Sequence, residues 1–510
     1  MISLAGAIIP ALVALVAIPG LIHALNAELF GLLSFIWIVF GTFAVLDFGT
    51  GRATTKYVAE LIAGERAEAI PSLFWTAAAI NLGVGVCCGL VLFIGAPWLS
   101  AHVVKVPPAL RDTAIVALRI TAFALPWVVL GGVFRSALEG LQRFDLSNAV
   151  QLPVSALNYI APLLVARAGG SLPLVVASVC VMRVAAVPPM LLLCRSQLPT
   201  LGRPHVERRQ FRQLLQFGSW LTVSNVVGPL LLSMDRLLVG SILGVSALGL
   251  YAPVYELVTR LSLIPGSVMT ALFPAFSTLT GGNVADIRAA MRRAQRLLAL
   301  IMLPVVLIGA SFAPLILRLW LGDKHSAASV NAMQMLLVGL LLLSIGAVPF
   351  TLVQALGKPK WSAIVHLVEL PVHAAITWFA VSTFGIVGAA TAWSLRAMYD
   401  AALFDAAVRR MLGAAERGPA IGHTARATLA LGAGAGLVAA LSAWLVTRSA
   451  AMIGIGAASV LVYAVVAWRW ALEHAERDAV LSIINRPLRR RTSPVLEPVP
   501  EPAVEQGGPR

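Results

Sequence analysis

Fourteen apolar segments, each long enough to cross a lipid bilayer, constrain this chain more than any other feature. A helix needs about 20 apolar residues to span the hydrocarbon core, and these segments are apolar on every face. Barrel strands would instead alternate in polarity over about 10 residues. The predicted spans are 3–23, 29–46, 71–94, 110–133, 148–166, 171–194, 217–239, 247–275, 297–317, 329–356, 362–382, 386–406, 427–446 and 452–472. The chain is therefore predicted to be an all-α polytopic membrane protein with about 14 transmembrane helices.

The composition excludes the main alternative classes of protein. Hydrophobic residues make up 59% of the 510 residues and charged residues only 12%, whereas soluble domains carry about 25% charged residues. A disordered chain would also be richer in charge. The four cysteines lie in apolar runs and lack the spacing of a zinc site or a disulfide framework. We therefore expect no metal and no cofactor, and without a Walker A pattern any energy source would be an ion gradient or the membrane potential.

The basic residues predict the orientation of the chain. The 38 Lys and Arg against 23 Asp and Glu give a net charge of +15. With the N-terminus placed inside, the predicted internal loops carry twenty of these residues and the external loops six. This asymmetry follows the positive-inside rule. Both termini are therefore predicted to be cytosolic, and the positive charge is explained by topology, with no nucleic acid expected as a partner.

Three landmarks recur at a spacing of 217 or 218 residues and suggest an internal repeat. They are Gly31 with Gly249, the Ala-Pro pairs at 96–97 and 313–314, and Gly140 with Gly357. Each half then holds six spans and both have the same orientation. The predicted organisation is a six-helix bundle over 1–195, a basic cytosolic linker over 196–212, a second six-helix bundle over 213–410, two additional transmembrane helices over 411–472 and a disordered cytosolic tail over 473–510. The arginines of the tail are placed for contact with anionic membrane lipids, or serve topology alone.

Three ordered segments resemble the multidrug/oligosaccharidyl-lipid/polysaccharide exporter superfamily, and within it the Wzx-type polysaccharide flippases. They are ELFGLLSFIWIVFGTFAVLDFGTGRATTKYVAE at 28–60, MDRLLVGSILGVSALGLYAPVYELV at 234–258 and SVMTALFPAFSTL at 267–279. The resemblance covers about 1–410; a clipped N-terminus and a Pro-rich tail depart from the family pattern.

That resemblance implies a V-shaped pair of six-helix bundles around a central cavity. It also implies transport of an undecaprenyl-pyrophosphate-linked oligosaccharide from the cytosolic to the periplasmic leaflet of the bacterial inner membrane, for synthesis of O-antigen, capsule or exopolysaccharide. The implied partner is the lipid-linked oligosaccharide, with a polysaccharide polymerase and glycosyltransferases as candidate protein partners.

Four arginines near the middle of predicted spans are the candidate substrate ligands. A charge at this depth is costly and usually faces a cavity or a partner, and arginine grips phosphate oxygens with two parallel hydrogen bonds. Structural ion pairs are the alternative for two of the four, because Glu256 precedes Arg260 by four residues and Asp400 follows Arg396 by four. The candidates for pyrophosphate are Arg119, Arg183, Arg260 and Arg396.

Further polar residues within the spans are candidates for ion coupling or for lining the cavity. Asp235 could carry a coupling proton while Arg236 reaches towards the interface, or the two could form a local ion pair. Residues 366, 369 and 373 share one helix face that should not meet lipid. That face suggests a proton relay or sugar contacts, with interhelical hydrogen bonds as the alternative. The full set is Asp235, Glu256, His366, Glu369, His373 and Asp400.

The alternatives fall into two classes. A lipid II flippase and a drug or cation antiporter belong to the same superfamily, and a cationic drug would favour a cavity lined by carboxylates rather than arginines. A membrane-embedded polysaccharide polymerase or ligase is the enzymatic alternative. The external loops are too short to hold such a catalytic site, so a transporter rather than an enzyme is predicted.

Overall fold

The computed structural model describes residues 2–44, 49–202, 204–279, 283–322, 325–412 and residue 465. Its secondary structure is helical, with no strand among the described residues. The helices are α1 (Ile2–Ala44), α2 (Thr50–Ala63), α3 (Ile70–Trp98), α4 (Arg111–Gly140), α5 (Phe144–Arg167), α6 (Leu172–Ala185), α7 (Val187–Gln197), α8 (Arg208–Leu238), α9 (Val245–Arg260), α10 (Leu263–Leu279), α11 (Val284–Ser311), α12 (Ala313–Leu321), α13 (Ala327–Ala355) and α14 (Pro359–Met411). The predicted all-α fold class is confirmed.

The first twelve predicted spans each coincide with helical structure. Nine stretches of the described residues are long and apolar enough to cross a membrane. Two of them, within α1 and α14, contain a residue with non-helical backbone angles, Asn26 and Gly385, and therefore cover two predicted spans each. The start of α8 is rich in arginine, and this helix covers the remaining span at 217–239. Apart from residue 465, the last two spans and the predicted tail lie outside the described residues, so the count of fourteen stays a prediction.

The eighth predicted span is divided within the membrane. The span contains two prolines that could interrupt a helix, Pro253 and Pro265, but Pro253 lies inside α9, and the chain turns at Leu261 and Ser262 before α10 begins. Pro265 accounts for this position, because a proline in the first turn of a helix needs no intrahelical hydrogen bond for its missing N–H. The break leaves Arg260 at the end of α9.

Equivalent turns in the two halves have matching backbone conformations. Asn26 lies before the second span and has φ 67° and ψ 172°. Gly244 lies before α9 and has φ 95° and ψ 175°. Both residues thus combine a positive φ with an extended ψ. The two residues lie 218 positions apart, the spacing of the landmark pair Gly31 and Gly249. Glycine tolerates positive φ without strain, and asparagine is among the residues that tolerate it best.

The third landmark pair has a different register in the structure. The turn after α4 and the turn after α13 have the same pattern of three backbone hydrogen bonds. After α4 the N–H groups of residues 141, 142 and 143 donate to the carbonyls of 137, 139 and 138, and after α13 those of 356, 357 and 358 donate to 352, 354 and 353. Gln142 and Gly357, both with positive φ, therefore occupy equivalent places, 215 residues apart. Gly140 is not the counterpart of Gly357, because it is the last residue of α4 and lies before the turn.

The two halves meet where α9 packs against the second segment of α1. A Cβ atom added to Gly31 would lie 1.9 Å from the carbonyl oxygen of Val245, and one added to Gly249 would lie 1.9 Å from that of Ala27. The two contacts are related by the 218-residue offset. Close to them the Ser246 hydroxyl donates to Glu28, again 218 residues away. The glycines let the two backbones approach directly, as small residues do in membrane helix pairs.

A second contact between the halves lies at the end of the molecule that the sequence predicts to be external. The Lys105 backbone N–H donates to Gly240 O at 3.1 Å, and its Nζ donates to Ile242 O at 2.7 Å. At the opposite end the chain before α8 is attached to α3, since Trp75 donates to Leu201 O and Ser72 to Glu207. Helix α8 begins at Arg208, inside the range predicted as linker.

Candidate functional site

A cavity of about 380 Å³ lies between the two halves, where α1, α5 and α6 face α8 and α9. Its walls combine aromatic, amide and hydroxyl groups with charged side chains at mid-span positions. The lining residues are Pro10, Trp37, Ile38, Gly41, Ser155, Asn158, Tyr159, Arg183, Ser233, Arg236, Glu256 and Arg260. A mostly concave site with a few convergent polar groups is typical of a small-molecule binding site.

Arg183 reaches the cavity from the first half of the molecule. Its Nε donates to the Asn158 side-chain oxygen at 3.2 Å, and its guanidinium lies over the Phe40 ring at 4.7 Å. Both partners are uncharged, so they position the guanidinium without neutralising it. A cation held in this way keeps its charge available for an anionic ligand.

Arg260 reaches the cavity from the second half, at the end of α9. Its Nη2 donates to Glu256 Oε2 at 2.9 Å and to the Tyr159 hydroxyl at 2.5 Å. The predicted pair between Glu256 and Arg260 is therefore present, and it faces the cavity rather than the protein interior. Tyr159 packs edge-on against Trp37 of the same half, with ring centroids 5.4 Å apart, and the hydrogen bond that it accepts from Arg260 joins the two halves across the cavity.

The structure reverses the roles predicted for Asp235 and Arg236. Asp235 is fully buried and accepts a hydrogen bond from the Tyr251 hydroxyl at 2.7 Å, so it does not line the cavity. Arg236 does line it, with its guanidinium over the Tyr255 ring at 4.1 Å and 3.8 Å from Glu256. Adjacent helical residues point about 100° apart, so the rotation of α8 about its axis decides which of the two faces the cavity.

Arg119 is not brought to the cavity. It lies on an exposed face of α4, which it shares with Val116, Phe123 and Trp127. Its guanidinium lies over the Phe93 ring at 4.9 Å. Neither Arg119 nor Arg183 has a nearby carboxylate in the sequence, so the sequence favoured both equally as ligands of the substrate. Only the packing of α4 against α3 distinguishes them.

Arg396 belongs to a second polar cluster, within the second half. Its Nε donates to Glu369 Oε1 at 2.9 Å, and both side chains are buried. The i,i+4 pair predicted with Asp400 is thus replaced by a pair between two helical segments of α14. The buried Arg396 does not line the cavity described above, which separates it from Arg183 and Arg260.

The polar face at 366, 369 and 373 is turned towards this second cluster. Glu369 and His373 are buried, while Leu367 and Val368, directly before Glu369, are exposed. One ligand atom each from His366, Glu369 and Asp400 lies within 4.8 Å of the others, so these three could hold a metal ion. The guanidinium of Arg396 already supplies a cation to Glu369 there, which makes the site less suited to a divalent ion.

Comparisons with known proteins match this chain to one family. A family described as "Polysaccharide biosynthesis protein" matches residues 24–330, which hold most of the cavity. The chain belongs to this polysaccharide biosynthesis protein family. A Shigella flexneri protein named "Putative O-antigen transporter" is 27% identical over 412 residues, covering 80% of this chain and 96% of that protein. Its name agrees with the expectation of a transporter rather than an enzyme.

Two solved structures share the fold of this polysaccharide biosynthesis protein. An inward-facing multidrug resistance transporter of the MATE family, in the MOP superfamily, has a TM-score of 0.66 at 17% identity and covers 80% of this chain and 98% of its own. The lipid II flippase MurJ in an inward closed conformation also has a TM-score of 0.66, at 14% identity, and covers 96% and 98%. The chain therefore shares the fold of these two proteins.

Sequence reasoning did not place Arg236 or Tyr159 in the cavity. Arg236 was predicted to reach towards the membrane interface, and Tyr159 carried no prediction. Tyr159 lies one residue after Asn158, the hydrogen-bond partner of Arg183, in the middle of α5. Tyrosine usually lies in the interfacial belt of a membrane protein. Its position at mid-span, far from that belt, is the signal that could have identified Tyr159.

Proposed function

We propose that this chain is a flippase for lipid-linked oligosaccharides and that the cavity binds the diphosphate that joins lipid to sugar. The observation that supports the proposal is the charge of the cavity. Arg183, Arg236 and Arg260 face Glu256, the single carboxylate among its described lining residues. Arginine suits phosphate because its planar fork matches two oxygens at once.

The remaining lining groups suit the two ends of such a substrate. Trp37, Ile38 and Pro10 offer apolar surface beside the arginines. An adjoining cavity of about 410 Å³ shares Ser155, Glu256 and Arg260 with the first and adds Thr259 and Ser262. Hydroxyl groups of this kind exchange hydrogen bonds with sugar hydroxyls. We therefore assign the sugar to this second cavity.

Transport would proceed by alternating exposure of the cavity between the two halves, 1–195 and 213–410. In our proposal the Gly31 and Gly249 contact and the Lys105 contact hold the external end closed while substrate enters from the cytosolic leaflet. The protein would lie in the bacterial inner membrane with both termini in the cytosol. A polymerase and glycosyltransferases would be neighbours in the same synthetic process.

Ion coupling is part of the proposal and rests on the second polar cluster. Glu369 and Asp400 place two carboxylates near one guanidinium, that of Arg396, in a buried site. Burial of an uncompensated carboxylate is costly, so one of the two gains from binding a proton or a monovalent cation. Asp235, hydrogen-bonded to Tyr251, is the second candidate for this role.

The charge of the cavity also ranks the alternatives. A drug or cation antiporter would need an excess of carboxylates, and the described lining has the opposite excess. A lipid II flippase also carries a diphosphate, so the cavity charge does not distinguish it from an oligosaccharide flippase. The relationship to the Shigella protein supports the oligosaccharide as substrate.

The test is export in a strain that lacks its own copy of the protein. Arg183→Gln and Arg260→Gln remove one guanidinium each from the cavity, and each should reduce surface polysaccharide at least about tenfold, since a hydrogen bond to a charged group contributes about 1.5–3 kcal/mol. Lipid-linked precursor should accumulate on the inner leaflet. Arg135→Gln is the control, because Arg135 forms an exposed ion pair with Glu139, outside the cavity.

Membrane abundance of each variant is measured by immunoblot, so that loss of export is separated from loss of protein. Normal surface polysaccharide with both cavity variants would refute the proposed binding site. Wild-type glycan in the deletion strain itself would refute the proposed function.

A further inference from the structure

Glu256 has a special place in the cavity, because it contacts two of the three arginines there. Its Oε2 accepts from Arg260 at 2.9 Å, and its Oε1 lies 3.8 Å from Arg236 Nη1. The third cation, Arg183, is held by the uncharged Asn158 and Phe40. Glu256 thus cancels one of three positive charges, and the described lining keeps an excess of two.

These two excess positive charges balance the negative charge of the loaded carrier, the lipid diphosphate that bears a sugar, but not that of the unloaded carrier. A diphosphate esterified at both ends, by lipid and by sugar, keeps one ionised oxygen on each phosphorus. The unloaded carrier, esterified by lipid alone, has a terminal phosphate whose second proton leaves with a pKa of about 6, as in other phosphate monoesters. At neutral pH the unloaded carrier therefore bears one more negative charge than the loaded carrier.

We propose that Glu256 is a specificity residue that matches the cavity to the loaded carrier and repels the extra charge of the unloaded one. The inference rests on the proposed function, since it concerns the same cavity and the same diphosphate. Selection through a repulsive group is a common way to discriminate ligands that share their attractive contacts. Here the discrimination prevents the carrier from occupying the cavity after its sugar has been removed.

The position of Glu256 suits this role better than a purely structural one. Its side chain is 23% exposed and lines both cavities, so it lies where the diphosphate and the first sugar would meet. A terminal phosphate would place its additional charge on the side of the sugar, near this carboxylate. A sugar ester at the same position carries no charge and offers hydroxyls that can donate to Glu256.

The experiment compares two synthetic lipids on the purified full-length protein in nanodiscs. One is a short polyprenyl diphosphate, and the other is the same polyprenyl chain joined through diphosphate to N-acetylglucosamine. Dissociation constants are measured for both at pH 7.5. The wild type should prefer the sugar ester, and Glu256→Gln should reduce this preference at least about tenfold by improving binding of the unesterified diphosphate.

Two further variants separate charge from contact. Arg236→Gln combined with Glu256→Gln removes one charge of each sign, so it should restore the preference for the sugar ester. Glu139→Gln is the matched control, because Glu139 also accepts from an arginine four residues away, outside the cavity. It should leave the preference unchanged. The double variant also keeps the inference testable if Glu256→Gln alone fails to fold.

The outcomes distinguish the inference from the proposed function. Wild-type protein that binds neither lipid would overturn the proposed function. Wild-type protein that binds both, with a preference that Glu256→Gln leaves intact, would overturn the inference alone. If the double variant loses the preference for the sugar ester as fully as Glu256→Gln does, then contact rather than charge sets the specificity. That result would also overturn the inference.

Discussion

Alanine at Gly249 is the sharpest test of how the two halves meet. A Cβ there would lie 1.9 Å from Ala27 O, whereas carbon–oxygen contacts between helices are about 3.3–3.6 Å, so the backbones must separate by roughly 1.4 Å or more. The obstructing atom is backbone and cannot rotate away. Overpacking costs about 1–3 kcal/mol in typical cores, and we expect Gly249→Ala to reach the upper end of this range.

The matched control is Gly95→Ala, in the last turn of α3, where the helical backbone continues to Val103 and nothing lies within 4 Å of the added Cβ. Replacing an interior helical glycine by alanine stabilises by about 0.5–1 kcal/mol when space is free. Thermal unfolding of the two purified variants in the same detergent should therefore shift in opposite directions from the wild type. Equal melting temperatures for Gly249→Ala and Gly95→Ala would refute the close approach of α1 and α9.

Three further predictions concern groups whose roles the structure separates. Arg119→Gln should retain export, because Arg119 lies on an exposed face away from the cavity; loss of export with normal membrane abundance would contradict this assignment. Arg396→Gln should destabilise the protein by about 3–5 kcal/mol in thermal or denaturant unfolding, because it leaves Glu369 buried without its cation. Adding Glu369→Gln to that variant should recover much of the loss, and no recovery would argue against the pair. Tyr251→Phe should cost about 1–3 kcal/mol by removing the donor to buried Asp235, and an unchanged melting temperature would show that the bond contributes little.

The sequence predicted the helices well because membrane spans are defined by a simple requirement. An apolar run of sufficient length must form a helix that satisfies its own backbone hydrogen bonds. The division of α1 near Asn26 and of α14 near Gly385 was therefore predicted from span length alone. The break after Arg260 was placed only approximately, since Pro253 and Pro265 look alike in sequence and only one of them interrupts the helix.

The site was less predictable. A charged residue in the middle of a span indicates that some partner compensates the charge, but the sequence does not identify that partner. Arg183 and Arg260 were predicted to meet a cavity, and both do. Arg119 and Arg396 also lie near the middle of predicted spans, but neither reaches the cavity. Arg119 lies on an exposed face over the Phe93 ring, and Arg396 forms a buried ion pair with Glu369. The difference depends on the rotation of each helix about its axis, which is set by packing against neighbours. Uniformly apolar spans carry little information about that rotation.

The central claim is that the diphosphate of a lipid-linked sugar binds between Arg183 and Arg260. Photocrosslinking tests it most directly, with a diphosphate lipid that carries a small diazirine next to the phosphates, followed by mapping of the labelled peptides. The account predicts label on α5 or α6 near Asn158 and Arg183 and on α9 near Glu256, competed away by unlabelled lipid-linked sugar. Label confined to the Arg119 face of α4 or to the Arg396 cluster would contradict it.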